Sequence, residues 1–317
     1  MKIHLFIVDP QCDFCVADSM AKTKAALVQA GMDSSEAHRV CDPYGNKGTL
    51  VVPGAEDDMG RVATMIKRIG PKFDDITVTL DSHQGVGIER PGWWKRVGDG
   101  AAPAPFSILG IHPDGKRIVT LDAANGMAPT EEEYTTHLPS FLHGGGPTGE
   151  GTFGYLKALA ANGRYPHVVW TVHCVVGTWG WSIVPVLADA LLDWEHSEFG
   201  RINYVTKGNN PWTEHFSAVK AEVPDPGDPS TQINTNLIQS LEEADIIPVT
   251  GEALSHCVAN SVRDVGDCFS DPKYVSKLVL LTDASSNVGG FEFLGDAFMQ
   301  EMLAKGMQTS TTVDFLA

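Results

Sequence analysis

Residues 3–14 read Ile3-His4-Leu5-Phe6-Ile7-Val8-Asp9-Pro10-Gln11-Cys12-Asp13-Phe14. Six residues of largely apolar, β-favouring character run straight into an aspartate and a proline. That is the signature of a short buried strand ending at a functional edge. Moving outward, Glu56 to Ile69 carries Met59, Val62, Met65 and Ile66 at helical spacing, and Ile76 to Leu80 is the next strand. Val184 to Trp194 reads as a helix, Ile202 to Val205 as a strand, Thr231 to Glu243 as a helix and Ile246 to Val249 as a strand. A helix begins near Cys257, Leu278 to Leu281 is a strand, Phe291 to Ala304 a helix, and Thr311 to Val313 a last edge strand. Alternation of this kind predicts an α/β fold: a mainly parallel sheet covered by helices on both faces, with functional groups just past the strands' carboxyl ends.

Two stretches break the alternation. Residues 15–47 carry a helical pattern from Met20 to Ala30. Residues 90–165 are rich in Pro and Gly, with short helices expected at Thr130 to Tyr134 and Phe153 to Ala161. Segments that long and irregular serve as lids or binding elements. The glycine-rich His143 to Gly149 lacks both the Gly-x-Ser-x-Gly of esterases and the Lys-Ser/Thr of a phosphate loop, and reads as a turn. The 317 residues allow two domains by length alone. A net charge of −17 without any basic run argues against nucleic acid as a partner. No stretch approaches the ~20 apolar residues that span a bilayer. The N-terminus has no signal-peptide pattern, and six scattered cysteines make no disulfide framework, so a reducing, cytoplasmic setting is expected.

Chemistry gathers at the strand ends: Asp9, Asp81-Ser82-His83, Lys207, and Gly251 to Cys257. Each alone is an ordinary surface residue, but four such ends are harder to assign to chance. Cys257 stands where a helix begins, and a helix N-terminus lowers a thiol's pKa. Cys41 and Cys268 read as core cysteines, and the Cys12-x-x-Cys15 pair lacks the helix a redox motif needs. Asp81-x-His83 can hold a divalent metal if a third ligand arrives, and His173 is the leading candidate.

The ordered set Val8-Asp9-x-Gln11-x-Asp13-Phe14, Asp81-Ser82-His83, Trp170-x-x-His173-Cys174-Val175-x-Gly177-Thr178, Val205-Thr206-Lys207-Gly208 and Gly251-x-Ala253-x-x-x-Cys257-Val258 resembles the nicotinamidase and pyrazinamidase branch of the isochorismatase-like cysteine hydrolases. The resemblance implies a three-layer α/β/α hydrolase fold in one domain, residues 1–317, enlarged by the insertions near 15–47 and 90–165. It implies a catalytic triad of Asp9, Lys207 and Cys257. A cis peptide at Glu252–Ala253 would aim the N–H groups of Ala253 and Cys257 at an oxyanion. One divalent metal (zinc first, iron or manganese next) is expected on Asp81, His83 and His173, with Glu89 as fourth ligand, although Gln84 to Trp94 departs from the family's His-rich loop. Phe14 and Trp170 match the positions that sandwich the substrate ring, with core packing as their other role. Thr171, where the family has Pro, is expected to loosen its loop. Trp93 and Trp94 are expected to anchor the insertion, and His256 to be a wall of the site. The implied reaction is hydrolysis of nicotinamide to nicotinate and ammonia through a cysteine thioester, in NAD salvage. The alternative is a related cysteine hydrolase for another small amide or ureido compound. The expected partner is thus a small amide, and a homo-oligomer follows from the resemblance alone.

Overall fold

The computed structural model describes residues 1–41, 45–139 and 143–317. Residues 42–44 and 140–142, one stretch in each insertion, lie outside the described residues. In chain order the elements are β1 (His4–Val8), α1 (Cys12–Cys15), α2 (Ala21–Gln29), α3 (Ser34–Cys41), α4 (Ala55–Ile69), β2 (Asp75–Asp81), β3 (Trp94–Arg96), β4 (Ile108–Ile111), β5 (Ile118–Asp122), β6 (Ala128–Thr136), α5 (Gly151–Asn162), β7 (His167–Val168), α6 (Pro185–Glu198), β8 (Ile202–Lys207), α7 (Thr235–Glu242), β9 (Ile247–Gly251), α8 (Ala259–Cys268), β10 (Leu278–Leu281), α9 (Glu292–Ala304) and β11 (Gln308–Ser310).

Six strands form a parallel sheet in the order β11-β10-β9-β1-β2-β8. Every residue of β1, β9 and β10 is buried. Successive side chains point to opposite faces, so complete burial means that both faces are covered, as the uninterrupted apolar runs required. Among the covering helices, α4 turns Met59, Val62, Met65, Ile66 and Ile69 inward and packs beside α6. Register brings the functional ends together: Asp81 lies opposite Lys207, and Val8 opposite Gly251. Gly251 has φ +121, and a Cβ there would collide with the Val8 carbonyl, so the close approach of β9 to β1 demands glycine.

The structure corrects the sequence reading of two secondary-structure elements. Thr130 to Tyr134 is not a helix; it lies within β6 of a second, antiparallel sheet ordered β3-β6-β5-β4-β7. Three consecutive glutamates favour a helix locally, but pairing with β5 and burial of Tyr134 in a separate apolar cluster override that preference. The last edge strand is Gln308–Ser310 rather than Thr311 to Val313, because the Asp283 carboxylate accepts from both the N–H and the hydroxyl of Thr312 and turns the chain off the edge. Trp93 and Trp94 do anchor the small sheet. Trp94 is fully buried with its Nε1 donating to the Ile88 carbonyl, and Trp93 stacks edge-on against Trp212.

Candidate active site

The site forms where β1, β2, β8 and β9 end. Asp9 leaves β1 with φ +46, a turn that aims its carboxylate back over the sheet. Its Oδ1 accepts from the Thr79 hydroxyl at 2.5 Å, and its Oδ2 lies 2.8 Å from Lys207 Nζ. Lys207 Nζ also reaches Asp81 Oδ1 at 3.0 Å, the His215 carbonyl at 3.1 Å and Cys257 Sγ at 3.5 Å. One buried ammonium thus joins two carboxylates and the thiol. Burial pushes the Cys257 thiol up, Lys207 pulls against that, and the carboxylates of Asp9 and Asp81 add to the rise. Burial also raises Asp9 against the pull of Lys207. The charges on Asp81 and Asp9 outweigh burial at Lys207 and keep it protonated. A thiol kept neutral beside a carboxylate of raised proton affinity suits proton transfer during attack.

Gln11 explains its place in the first motif. Its side-chain amide pairs with the backbone of Asp81 in both directions, Nε2 to O and N to Oε1, each at 2.7 Å. Asp13 does the same for the other wall, accepting from Cys174 N at 2.7 Å and Thr49 N at 3.1 Å. Thr171 does not loosen its loop: its hydroxyl donates to the Thr49 carbonyl at 2.9 Å.

Asp81, His83 and His173 converge, with ligand atoms all within 4.8 Å of one another. The Nε2 atoms of His83 and His173 lie 2.8 and 3.3 Å from Asp81 Oδ2. Behind the rings, His173 Nδ1 lies 2.8 Å from the Thr171 carbonyl and His83 Nδ1 lies 3.2 Å from Glu89 Oε1. Two imidazoles showing Nε2 to one carboxylate are a donor set a divalent ion takes, so these residues fit one; behind the His173 ring, Nδ1 also lies 2.8 Å from the Arg90 Nη1 donor. Glu89 is therefore not placed as a fourth ligand. Its carboxylate meets the opposite edge of the His83 ring and is paired with Arg90.

The slot above Cys257 is lined by Phe14, Leu50, Val52, Trp170, Phe216, His256 and Val288 around Asp81, His173, Lys207, Glu214, His215 and Ala253, with about 30 Å³ of water-accessible volume. Phe14 and Trp170 are both walls, and so is His256, which meets Trp170 edge-on at 5.2 Å. Burial pushes His256 down to about 3, and burial with Lys207 does the same to His215, so both imidazoles are uncharged at neutral pH. Glu214 escaped the sequence reading. It accepts from Trp170 Nε1 at 3.1 Å and from His215 N at 2.9 Å, and burial raises it to about 7. Its position in the segment after Lys207, past the carboxyl end of strand β8, was the available signal. A groove of about 1060 Å³ between α2, α4 and the C-terminal residues carries none of these groups.

The Glu252–Ala253 peptide is cis, as expected. Around it Glu252 N donates to Val8 O, Leu254 N to Ser286 O, and His256 N and Val258 N to Ala253 O. Ala253 N takes no backbone partner among the described residues. Cys257 sits in a single π-turn, Leu254–Val258, that leads into α8.

Solved structures of nicotinamidases and pyrazinamidases share this fold. The yeast nicotinamidase Pnc1p is 17% identical, with 97% of this chain and 98% of that one covered at a TM-score of 0.54. The Acinetobacter baumanii nicotinamidase pyrazinamidase is 15% identical over 99% and 98%, TM-score 0.55. PnC1 from L. infantum, solved in complex with nicotinate, is 16% identical over 98% and 93%, TM-score 0.50. No protein-family profile and no curated protein matches the chain.

Proposed function

We propose that the chain is one hydrolase unit that converts nicotinamide to nicotinate and ammonia, with Cys257 as nucleophile. The observation that carries this reading is Lys207 Nζ held 3.5 Å from Cys257 Sγ and 2.8 Å from Asp9, beside the Asp81–His83–His173 cluster and under an aromatic slot. The Cys257 thiol gives its proton to Asp9 as sulfur attacks the carboxamide carbon. The negative charge moves to the carbonyl oxygen, where the N–H groups of Ala253 and Cys257 receive it. Collapse breaks the C–N bond, and Asp9 returns the proton to the departing nitrogen, which leaves as ammonia. Water then attacks the thioester, Asp9 takes its proton, and collapse releases nicotinic acid's carboxyl group and restores the thiol with that proton. Lys207 favours the anionic form of Asp9 before each proton it takes. A divalent ion held by Asp81, His83 and His173 (zinc, iron or manganese suit such ligands) would supply a coordination position for the ring nitrogen. Phe14 and Trp170 flank the ring plane, and Leu50, Val52 and Val288 exclude water.

Ammonia release from nicotinamide by the purified chain tests the proposal. Activity that Cys257→Ala abolishes supports it. No ammonia from nicotinamide or pyrazinamide in a metal-replete preparation refutes it.

A further inference from the structure

We infer that Glu89 is a positioning residue that acts through His83: its carboxylate, fixed by Arg90, holds the imidazole so that Nε2 faces Asp81. The inference rests on the metal-site part of the function proposed above. Glu89 is 3% exposed and Arg90 1%. Glu89 Oε1 touches His83 Nδ1 at 3.2 Å and Arg90 Nε at 3.0 Å. The same guanidinium donates from Nη1 to the Thr171 carbonyl at 2.6 Å and from Nη2 to the His173 carbonyl at 2.9 Å. Arg90 is thereby anchored to the segment that carries the other histidine, and Glu89 to Arg90. One rigid unit stands behind both rings.

The backbone is as constrained as the side chains. Ile88 N donates to Pro211 O and Trp170 N to Glu89 O, each at 2.8 Å, so the loop is fastened on both sides. Gly87 supplies the space: a Cβ there would collide with both oxygens of the Glu89 carboxylate. Glu89 Oε2, His83 Nδ1 and Arg90 Nε have no hydrogen-bond partner among the described residues, so Glu89 Oε1 meets the ring and the guanidinium as close ion-pair contacts. A buried carboxylate is costly unless paired, and this one is paired with Arg90 and spent on an imidazole edge. A carboxylate behind a ligating histidine fixes ring orientation and tautomer and raises the basicity of the other nitrogen. The spacing Gly87-x-Glu89-Arg90 is the sequence form of this device.

The test is titration of the metal-stripped full-length chain with Co(II), read by its d–d absorption, and with Zn(II) in competition with a chelator. Glu89→Ala is expected to weaken binding roughly 10–100-fold with the energy and intensity of the d–d bands unchanged. Glu89→Gln, which keeps the fold's packing and an acceptor oxygen, should fall between wild type and Glu89→Ala. Gly87→Ala, which leaves Glu89 in place chemically but displaces it, should weaken binding as well. A changed d–d spectrum in Glu89→Gln would overturn the inference by putting Glu89 in the coordination sphere, and unchanged affinity in all three variants would overturn it outright. A wild-type chain that takes up neither ion refutes the metal site and the inference with it. Ammonia release, measured separately, shows whether the amidase reading stands without them.

Discussion

Glu222 makes the pH dependence of stability calculable. It is 7% exposed, its N–H donates to the Glu214 carbonyl, and its own carbonyl accepts from Asn162 of α5. It therefore joins the small-sheet insertion to the segment that carries Glu214, His215 and Phe216 of the slot. Burial raises its carboxyl to about 8, with Arg164 and Lys220 pulling down and Asp264 and Glu214 pushing up. The folded chain thus holds this proton more tightly than the unfolded chain, where the value is 4.5. The contribution is fully present below the unfolded value and is lost as pH rises through the folded one. Each tenfold difference in proton affinity is worth ~1.36 kcal/mol, so the loss between pH 4.5 and 8 has a ceiling of roughly 5 kcal/mol, and partial relaxation brings the expected value to about 2–4 kcal/mol. Glu222→Gln keeps the shape and removes the titration. Urea unfolding at pH 5, 6, 7 and 8 should give a wild-type stability that falls faster with pH than the variant's, with the two curves diverging most at pH 8. Parallel curves would show that Glu222 ionises freely in the fold and would refute the reasoning.

Gln11→Ala removes both amide contacts to Asp81 and leaves a buried N–H and C=O unpaired. A loss of about 2–4 kcal/mol in denaturant unfolding is expected, with weaker metal uptake if Asp81 shifts. Gly251→Ala forces a Cβ onto the Val8 carbonyl at φ +121, and the soluble yield of folded protein should collapse, as read by circular dichroism of the purified fraction. Trp170→Phe keeps an aromatic wall but removes the Nε1 donor to Glu214. KM for nicotinamide should rise several-fold with kcat less affected, about 1 kcal/mol of lost positioning; an unchanged KM would remove Trp170 from the slot's function.

The parallel sheet was legible because its strands are buried on both faces and read as unbroken apolar runs such as Leu5 to Val8 and Leu278 to Leu281. The converging polar residues were legible because strand ends are where such a sheet can hold them: Asp9, Asp81 and Lys207 each fall at or just past the last residue of a strand. The second sheet was not legible. β6 carries Glu131, Glu132 and Glu133 on a largely exposed strand, and only pairing with β5 makes that sequence extended. Glu89, expected from the resemblance as a fourth metal ligand, lies instead against His83 Nδ1 and Arg90, because a family pattern gives proximity but not which atom a carboxylate meets. Glu214 was missed because its environment comes from Trp170, 44 residues away in sequence.

Lys207 couples what motif reading treats as two separate features. Its single ammonium contacts Asp9 at 2.8 Å and Asp81 at 3.0 Å, so the carboxylate proposed for proton transfer and the one proposed to hold a metal draw on the same cation. Any change that adds positive charge at Asp81 relieves Lys207 of part of its attraction there and leaves more of its field for Asp9 and Cys257. The two sites therefore form one electrostatic unit. Lys207→Met should impair ammonia release but tighten metal uptake, because it removes a cation that competes for Asp81, and it should cost about 3–5 kcal/mol in stability because two buried carboxylates lose their common partner. A variant that lost ammonia release while keeping wild-type metal affinity would separate the two sites and overturn this coupling.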